Sequence, residues 1–214
     1  LTLLIGHYTV PPMGIWHIII IAVMCIASEV TDERKISYSG GGTLMVKSDS
    51  SAKSVYFHYS PSYKFSLGIE AQKDIFRETK GSYLRFNYLL NRKNTNTSQR
   101  NLYFLSGVST DNPNDLFYGV EGDWETRELF SGFGYTKTEA AGRNISHSYV
   151  QIGIAPYVGD YGDLHTWLLL KSKKNSLTKE WQTYPMLKFF KGNVLVEIGY
   201  GNQGDWDLHG MYRF

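Results

Sequence analysis

After Ser37 no stretch of the chain sustains a 3.6-residue apolar period, whereas a period of two recurs from there to the last residue. In "VYFHYS" Val55, Phe57 and Tyr59 share one face, with Tyr56, His58 and Ser60 opposite. "SYLRFNYLLN" sets Leu84, Phe86, Tyr88 and Leu90 against Tyr83, Arg85, Asn87 and Leu89. "NVLVEIGY" sets Val194, Val196, Ile198 and Tyr200 against Leu195, Glu197 and Gly199. Side chains alternate sides along a strand, so each segment separates two unlike environments. This predicts an all-β chain.

Twelve such segments can be marked, over 41–48, 53–60, 62–72, 81–92, 99–109, 115–124, 127–137, 145–157, 164–173, 180–190, 192–200 and 205–214. Ten strands after an irregular start is the alternative, because the first two segments are short. Turn residues punctuate them: "SPS" (60–62), "DNPND" (111–115), "AAGRN" (140–144), "GDYGD" (159–163), "KG" (191–192) and "GNQGD" (201–205). Only "NRKNTNTSQR" (91–100) reads as loose. Several segments reach the roughly nine to eleven residues that a tilted strand needs to cross a bilayer.

The two environments are either core and water, as in a soluble sandwich or lipocalin-like barrel, or lipid and a wet lumen. Aromatic residues make up 15% of the chain, with 16 Tyr, although its mean hydropathy is mildly polar. The rings gather near strand ends on the apolar face: Tyr59, Tyr63, Trp124, Tyr200, Trp206 and Phe214. Girdles of rings flanking an aliphatic band suit a membrane barrel. In hydrocarbon every backbone amide must pair within the protein, so an all-strand membrane domain has to close on itself. The expectation is a closed antiparallel transmembrane β-barrel over 41–214, with about 12 strands.

The start of the chain is a separate object. No Asp, Glu, Lys or Arg precedes Glu29, and the apolar run from Ile18 to Ala27 has the length of a signal-peptide core. Residues 1–28 read as a signal peptide cleaved after Ala27 or Ser28, with Met13 a candidate for the true start, and 29–40 as a lead-in. Cys25 lies within that run and is the one cysteine, so disulfides and thiolate metal sites are excluded from the remainder.

The terminal run "DWDLHGMYRF" resembles the last strand of bacterial outer-membrane barrels, which ends on an aromatic residue after alternating apolar ones. Tyr212 and Phe214 match that pattern, as do Trp206 and Leu208 less strictly. The resemblance implies the outer membrane of a Gram-negative bacterium, with outer-membrane lipid and the barrel assembly machinery as partners. It also implies that these four residues form an assembly signal and that the last strand pairs with the first. The stretches "GDWETRELF" (122–130) and "IAPYVGDYGDLHTWLLL" (154–170) look like those of uncharacterised small barrels, some associated with heavy-metal efflux loci. No functional residue is carried over from them.

If the apolar face meets lipid, the opposite face builds the lumen, with His58, Lys64, Glu70, Arg85, Glu121, Asp123, Gln151, Lys188, Glu197, His209 and Arg213 as lining candidates. Two readings follow: a narrow solute path lined by mixed charge, or a lumen filled by ion pairs. An outer-membrane lipid-modifying enzyme is the alternative. Its nearest candidate, "SHS" (Ser146, His147, Ser148), puts neighbours on opposite faces and does not suit a Ser–His pair. The histidines are too scattered for a metal site, "GDYGD" has too few ligands for calcium, and "GGG" (40–42) precedes no helix that would make it a phosphate cradle. A net charge of +2 with interleaved signs gives no nucleic-acid footprint. No cofactor is expected. The reading is a passive small-solute channel or a structural envelope protein rather than an enzyme, with a soluble secreted β-barrel binding module as the remaining alternative.

Overall fold

The computed structural model describes residues 35–75, 78–140, 142–160, 162–201 and 204–214. The expected signal peptide lies outside the described residues, as does the lead-in before Lys35. The twelve strands are β1 (Gly41–Ser48), β2 (Ala52–Ser62), β3 (Phe65–Asp74), β4 (Thr79–Asn94), β5 (Gln99–Ser109), β6 (Leu116–Glu125), β7 (Leu129–Ala140), β8 (Arg143–Ile154), β9 (His165–Asn175), β10 (Gln182–Lys191), β11 (Val194–Tyr200) and β12 (Trp206–Arg213). Each pairs antiparallel with its neighbours in chain order, and β12 returns to β1 with Leu44 opposite Tyr212 and Val46 opposite Gly210. The barrel is therefore closed, and it has twelve strands rather than ten.

Strand ends shift by up to three residues, so that "AAGRN" tightens until Ala140 pairs with Arg143, and two segments differ from their sequence reading at a bulge. "SPS" lies within the end of β2 instead of forming a turn. The register shifts between Tyr59 and Ser62 there, so Pro61, which cannot donate, is spared a place in the regular ladder. β4 runs on through Asn94, into the stretch expected to be loose. A shift between Leu89 and Asn91 resets its alternation, so that Arg92 meets Asn101 Oδ1 at 2.6 Å.

The faces are inverted relative to a water-soluble barrel. Val46, Phe57, Ile69, Leu84, Val120, Phe133, Val150, Leu168, Leu187, Val196 and Leu208 all point outward and are exposed. His58 and Lys188, by contrast, are 0% exposed inside. An apolar belt around all twelve strands far exceeds the few hundred Å² that soluble monomers tolerate. Hydrocarbon accepts it, and closure leaves no unpaired strand edge within it. The chain forms a transmembrane barrel.

Rings border the belt at both rims. At the rim holding the chain end, Phe214 stacks on Phe57 and Tyr212, both at 6.0 Å between centroids. At the opposite rim, Tyr200 meets Trp206 edge-on at 4.9 Å. We call these the terminal and distal rims. Glycines on the inner face make room for rings that cross it. A Cβ on Gly134 would sit 2.2 Å from the Tyr149 ring, and one on Gly107 would sit 2.3 Å from the Phe117 ring.

Candidate functional site in the lumen

The inner face is not uniformly polar. Across β9–β12 it is filled, with inward side chains of β1, β2 and β7 joining the packing. Met45, Tyr56, Phe190, Leu195 and Met211 form one buried cluster, and Phe130, Trp167, Leu169, Tyr184 and Met186 form another. A row of ionisable groups crosses this packing in strand register: Lys188 opposes Glu197, and Glu197 opposes His209. Lys188 Nζ lies 3.2 Å from Glu197 Oε1 and 4.2 Å from the Phe130 ring centroid, while His209 Nδ1 meets Glu197 Oε2 at 3.1 Å. One carboxylate between two basic partners keeps a dry charge compensated. Nearer the distal rim, Lys171 Nζ sits 2.9 Å from Asp207 Oδ2, which also accepts from Tyr184 OH.

The β1–β8 side is open toward the distal rim. A cavity of about 480 Å³ descends there, lined by Lys47, Gln72, Asp74, Tyr83, Ser109, Asp115, Thr136, His147 and Tyr149 among others. At its lip, Asp49 Oδ2 meets Lys173 Nζ at 3.0 Å, tying the β1–β2 turn to β9. Burial alone would raise the Asp49 carboxyl. The Lys173 ammonium, the Ser51 hydroxyl and the backbone N–H groups of Ala52 and Ser51 outweigh that and hold it well below the usual carboxylate range.

The floor of this vestibule is made of two ion pairs. Arg85 Nη1 bonds Glu70 Oε2 at 2.8 Å, with its guanidinium 4.4 Å from the Tyr56 ring and 4.9 Å from that of Phe117. Lys35 Nζ bonds Glu121 Oε2 at 2.7 Å, and Tyr149 OH donates to the same oxygen at 3.2 Å. Lys35 is the first described residue, and the chain runs from it along the lumen to the terminal rim, where β1 begins. Its carbonyl accepts from Ser66 Oγ at 2.8 Å and Asn87 Nδ2 at 3.0 Å, and Ser37 N–H donates to Ser60 Oγ at 2.8 Å. Ile36 is buried against Leu89, Tyr103 and Leu105. Beyond this level the space among Lys35, Tyr103, Glu121, Asp123, Phe130 and Gln151 shrinks to about 10 Å³. That holds one water at most.

The expected lining residues fall as follows. Glu70, Arg85 and Glu121 meet at the vestibule floor, and Lys188, Glu197 and His209 form the row through the packed side. Asp123 accepts from Asn101 Nδ2 at 2.7 Å, and Gln151 borders the small void below the floor. His58 is buried beside the Tyr56 ring at 5.2 Å, and Arg213 stands 5.2 Å from the Phe190 ring centroid near the terminal rim. Lys64 lies elsewhere. It occupies the two-residue turn between β2 and β3, exposed, with Nζ 5.9 Å from the Tyr63 ring, because strand alternation does not extend through a turn.

Lys35, Asp49, Lys171, Lys173 and Asp207 also belong to the lumen and were not among the expected set. "KSKK" (171–174) carried a signal for two of them, since Lys171 and Lys173 alternate with Ser172, and Asp207 shares a face with His209. Nothing in the sequence marked Lys35. In the "SHS" stretch, His147 faces the vestibule while Ser148 stands on the other side of the strand, opposite Tyr135. The Asp163 carboxylate of "GDYGD" accepts from Asp160 N–H at 2.9 Å, closing its own turn.

No family model matches the sequence, and no curated protein matches it. Among solved structures the chain is similar to KdgM porin, both alone (TM-score 0.48) and in complex with disordered oligogalacturonate (TM-score 0.49). In each case the identity is 12% over 81% of this chain and 98% of the porin chain. The similarity is one of chain path.

Proposed function

We propose that the chain is an integral outer-membrane barrel acting as a passive channel for small solutes. The observation that carries this reading is the inverted barrel with a charged vestibule that leads to a floor of paired side chains. Among the vestibule's lining residues Asp49, Glu70, Asp74, Asp111, Asp115 and Glu121 outnumber Lys35, Lys47 and Arg85, which favours cations. Ile36 and the Lys35–Glu121 pair stand across the path and close it in this arrangement. The outward Trp206, Leu208, Tyr212 and Phe214 on the closing strand serve as the assembly signal, and the short connections leave the lumen's own side chains to set its bore.

Single-channel recording in planar bilayers tests this. The wild-type barrel is expected to conduct in small, cation-selective steps. Lys35→Ala, which removes the floor's cation and its long side chain, is expected to raise both conductance and cation selectivity. A barrel that inserts yet stays silent in both forms would reverse the proposal in favour of a purely structural envelope protein.

A further inference from the structure

The outer face of β1–β4 at the distal rim carries an arrangement found in none of the lumen chemistry above. Lys53 on β2 lies directly opposite Lys73 on β3, and Lys73 lies directly opposite Lys80 on β4. All three are exposed on the lipid side of the wall. Opposed residues on adjacent strands have Cα atoms only about 4.5–5.5 Å apart, and like charges placed there repel. Among the described residues no carboxylate forms an ion pair with any of the three. Elsewhere on the same rim outward lysines have partners: Lys137 meets Glu139 at 2.7 Å, and Lys174 stands 6.0 Å from the Trp181 ring.

One step toward mid-membrane, the opposed row is Val46, Val55, Ala71 and Ser82, all short side chains. The next row is Leu44, Phe57, Ile69 and Leu84, all long. A tier of small residues between lysines and bulky aliphatics leaves a depression on the outside of the wall, about 550 Å³ in volume. Among its outward lining residues Lys53, Lys73 and Lys80 stand with a single carboxylate, Asp111. The apolar floor is continuous with the hydrocarbon belt, and the cations sit where that belt meets water.

We propose that this depression binds a membrane lipid whose headgroup carries phosphomonoesters, with an acyl chain on Val46, Val55 and Ala71 and the phosphate across the lysine ladder. The ladder spans two strand spacings, about 10 Å at about 4.8 Å each, more than the two free oxygens of one phosphodiester bridge. A phosphomonoester offers three acceptor oxygens and up to about two negative charges, on which three ammonium groups can converge along their flexible stems. A head with two such groups also covers the span, cancelling the repulsion. Long lysine stems let the ammonium groups reach the headgroup level while their methylenes stay over the apolar tier. The inference rests on the membrane reading above but not on any conductance.

Native mass spectrometry of the detergent-solubilised full chain tests it, with bisphosphorylated lipid A, the same lipid stripped of phosphate, and phosphatidylcholine as probes. The wild-type barrel is expected to retain the bisphosphorylated lipid and to lose the other two. The triple variant Lys53→Gln/Lys73→Gln/Lys80→Gln is expected to retain it at least tenfold less. The paired variant Lys93→Gln/Arg100→Gln, at the terminal rim, is expected to retain it as the wild type does. Equal retention by the triple variant, equal retention of the dephosphorylated lipid, or equal loss in the terminal-rim variant would each overturn the site. Heat-modifiable gel migration separates the two levels. A wild-type chain that never shows it breaks the membrane reading, whereas a normally migrating barrel whose lipid retention ignores the lysines breaks this proposal alone.

Discussion

The two sides of the lumen solve the same problem in opposite ways. On the β9–β12 side, charge is buried among Phe130, Phe190 and Leu195, and Lys188, Glu197 and His209 compensate one another in strand register. On the β1–β8 side, Glu70, Arg85, Asp74 and Asp115 line a cavity of about 480 Å³ that opens at a rim. Water can share the work of compensation there. The packed side is therefore expected to hold the barrel's stability, and under the proposed channel function the open side is where solute contact and conductance are expected. A packed wall and an open surface are built on one sheet, and four comparisons, from the largest expected effect to the smallest, press on that division.

The largest effect belongs to Lys188→Ala. It takes from Glu197, in a dry interior, the ammonium 3.2 Å away, and breaking a buried pair from one side costs about 3–5 kcal/mol. Urea unfolding of the barrel in detergent or liposomes measures this. Arg85→Ala on the open side is expected to destabilise less and to change conductance more. Equal stability losses at the two sites would erase the distinction.

The wall between lumen and lipid is tested next. Ile69 faces outward near the middle of β3, and Ile69→Arg is expected to cost about 2–4 kcal/mol, the penalty for a cation on the lipid face near mid-membrane. Gln72→Arg, three residues on and facing the vestibule, is expected to leave stability within about 0.5 kcal/mol, as for a substitution in a watered site. The same unfolding assay reads both, and a reversed order would mean that the faces had been assigned the wrong way round.

A smaller effect is expected from Gly134→Val. The new side chain would press on the Tyr149 ring and displace the hydroxyl from Glu121. Overpacking of this kind costs about 1–3 kcal/mol. Because Glu121 belongs to one of the two ion pairs of the vestibule floor, the conductance of this variant is expected to shift more than that of an outward substitution of equal cost, such as Ile152→Ala. Bilayer recording of the two variants makes that comparison.

The sequence made the wall legible and the contents of the lumen only in part. Alternation marked most of the strands, and the clean runs around Phe57, Phe86 and Val196 gave the outward face, because that face meets one uniform solvent. The inward face has no single solvent. Trp167 and Leu169 point into the packed side while Leu168 and Leu170 point to lipid, so "HTWLLL" is apolar on both faces and shows no period. Lys35 was invisible for a different reason. Its place is fixed by tertiary partners far along the chain (Ser66, Asn87 and Glu121), and no local pattern encodes an irregular segment threading a barrel. The bulge after Leu89 hid Arg92 in the same way, by resetting the parity on which the inference depended.

The smallest effect probes the seam between the two sides. Asp49, at the lip of the vestibule, holds Lys173 of the packed side, and both side chains are partly exposed. Asp49→Asn is therefore expected to cost only about 0.2–1 kcal/mol, in the range of a solvent-screened pair. Its value lies in the pH dependence. Because the folded carboxyl sits below its unfolded value, near 3.9, the pair's stabilisation is fully present above that pH and drains away as pH falls toward the folded value. The stability difference between wild type and Asp49→Asn is expected to stay constant from neutral pH down to about pH 4 and then to shrink. Carboxyl-detected NMR of Asp49 should correspondingly find it still ionised when other rim carboxylates have protonated. A carboxyl titrating at the ordinary value would mean that Lys173 exerts no hold on it. The β1–β2 turn would then be free of β9, and the lip of the vestibule would belong to the open side alone.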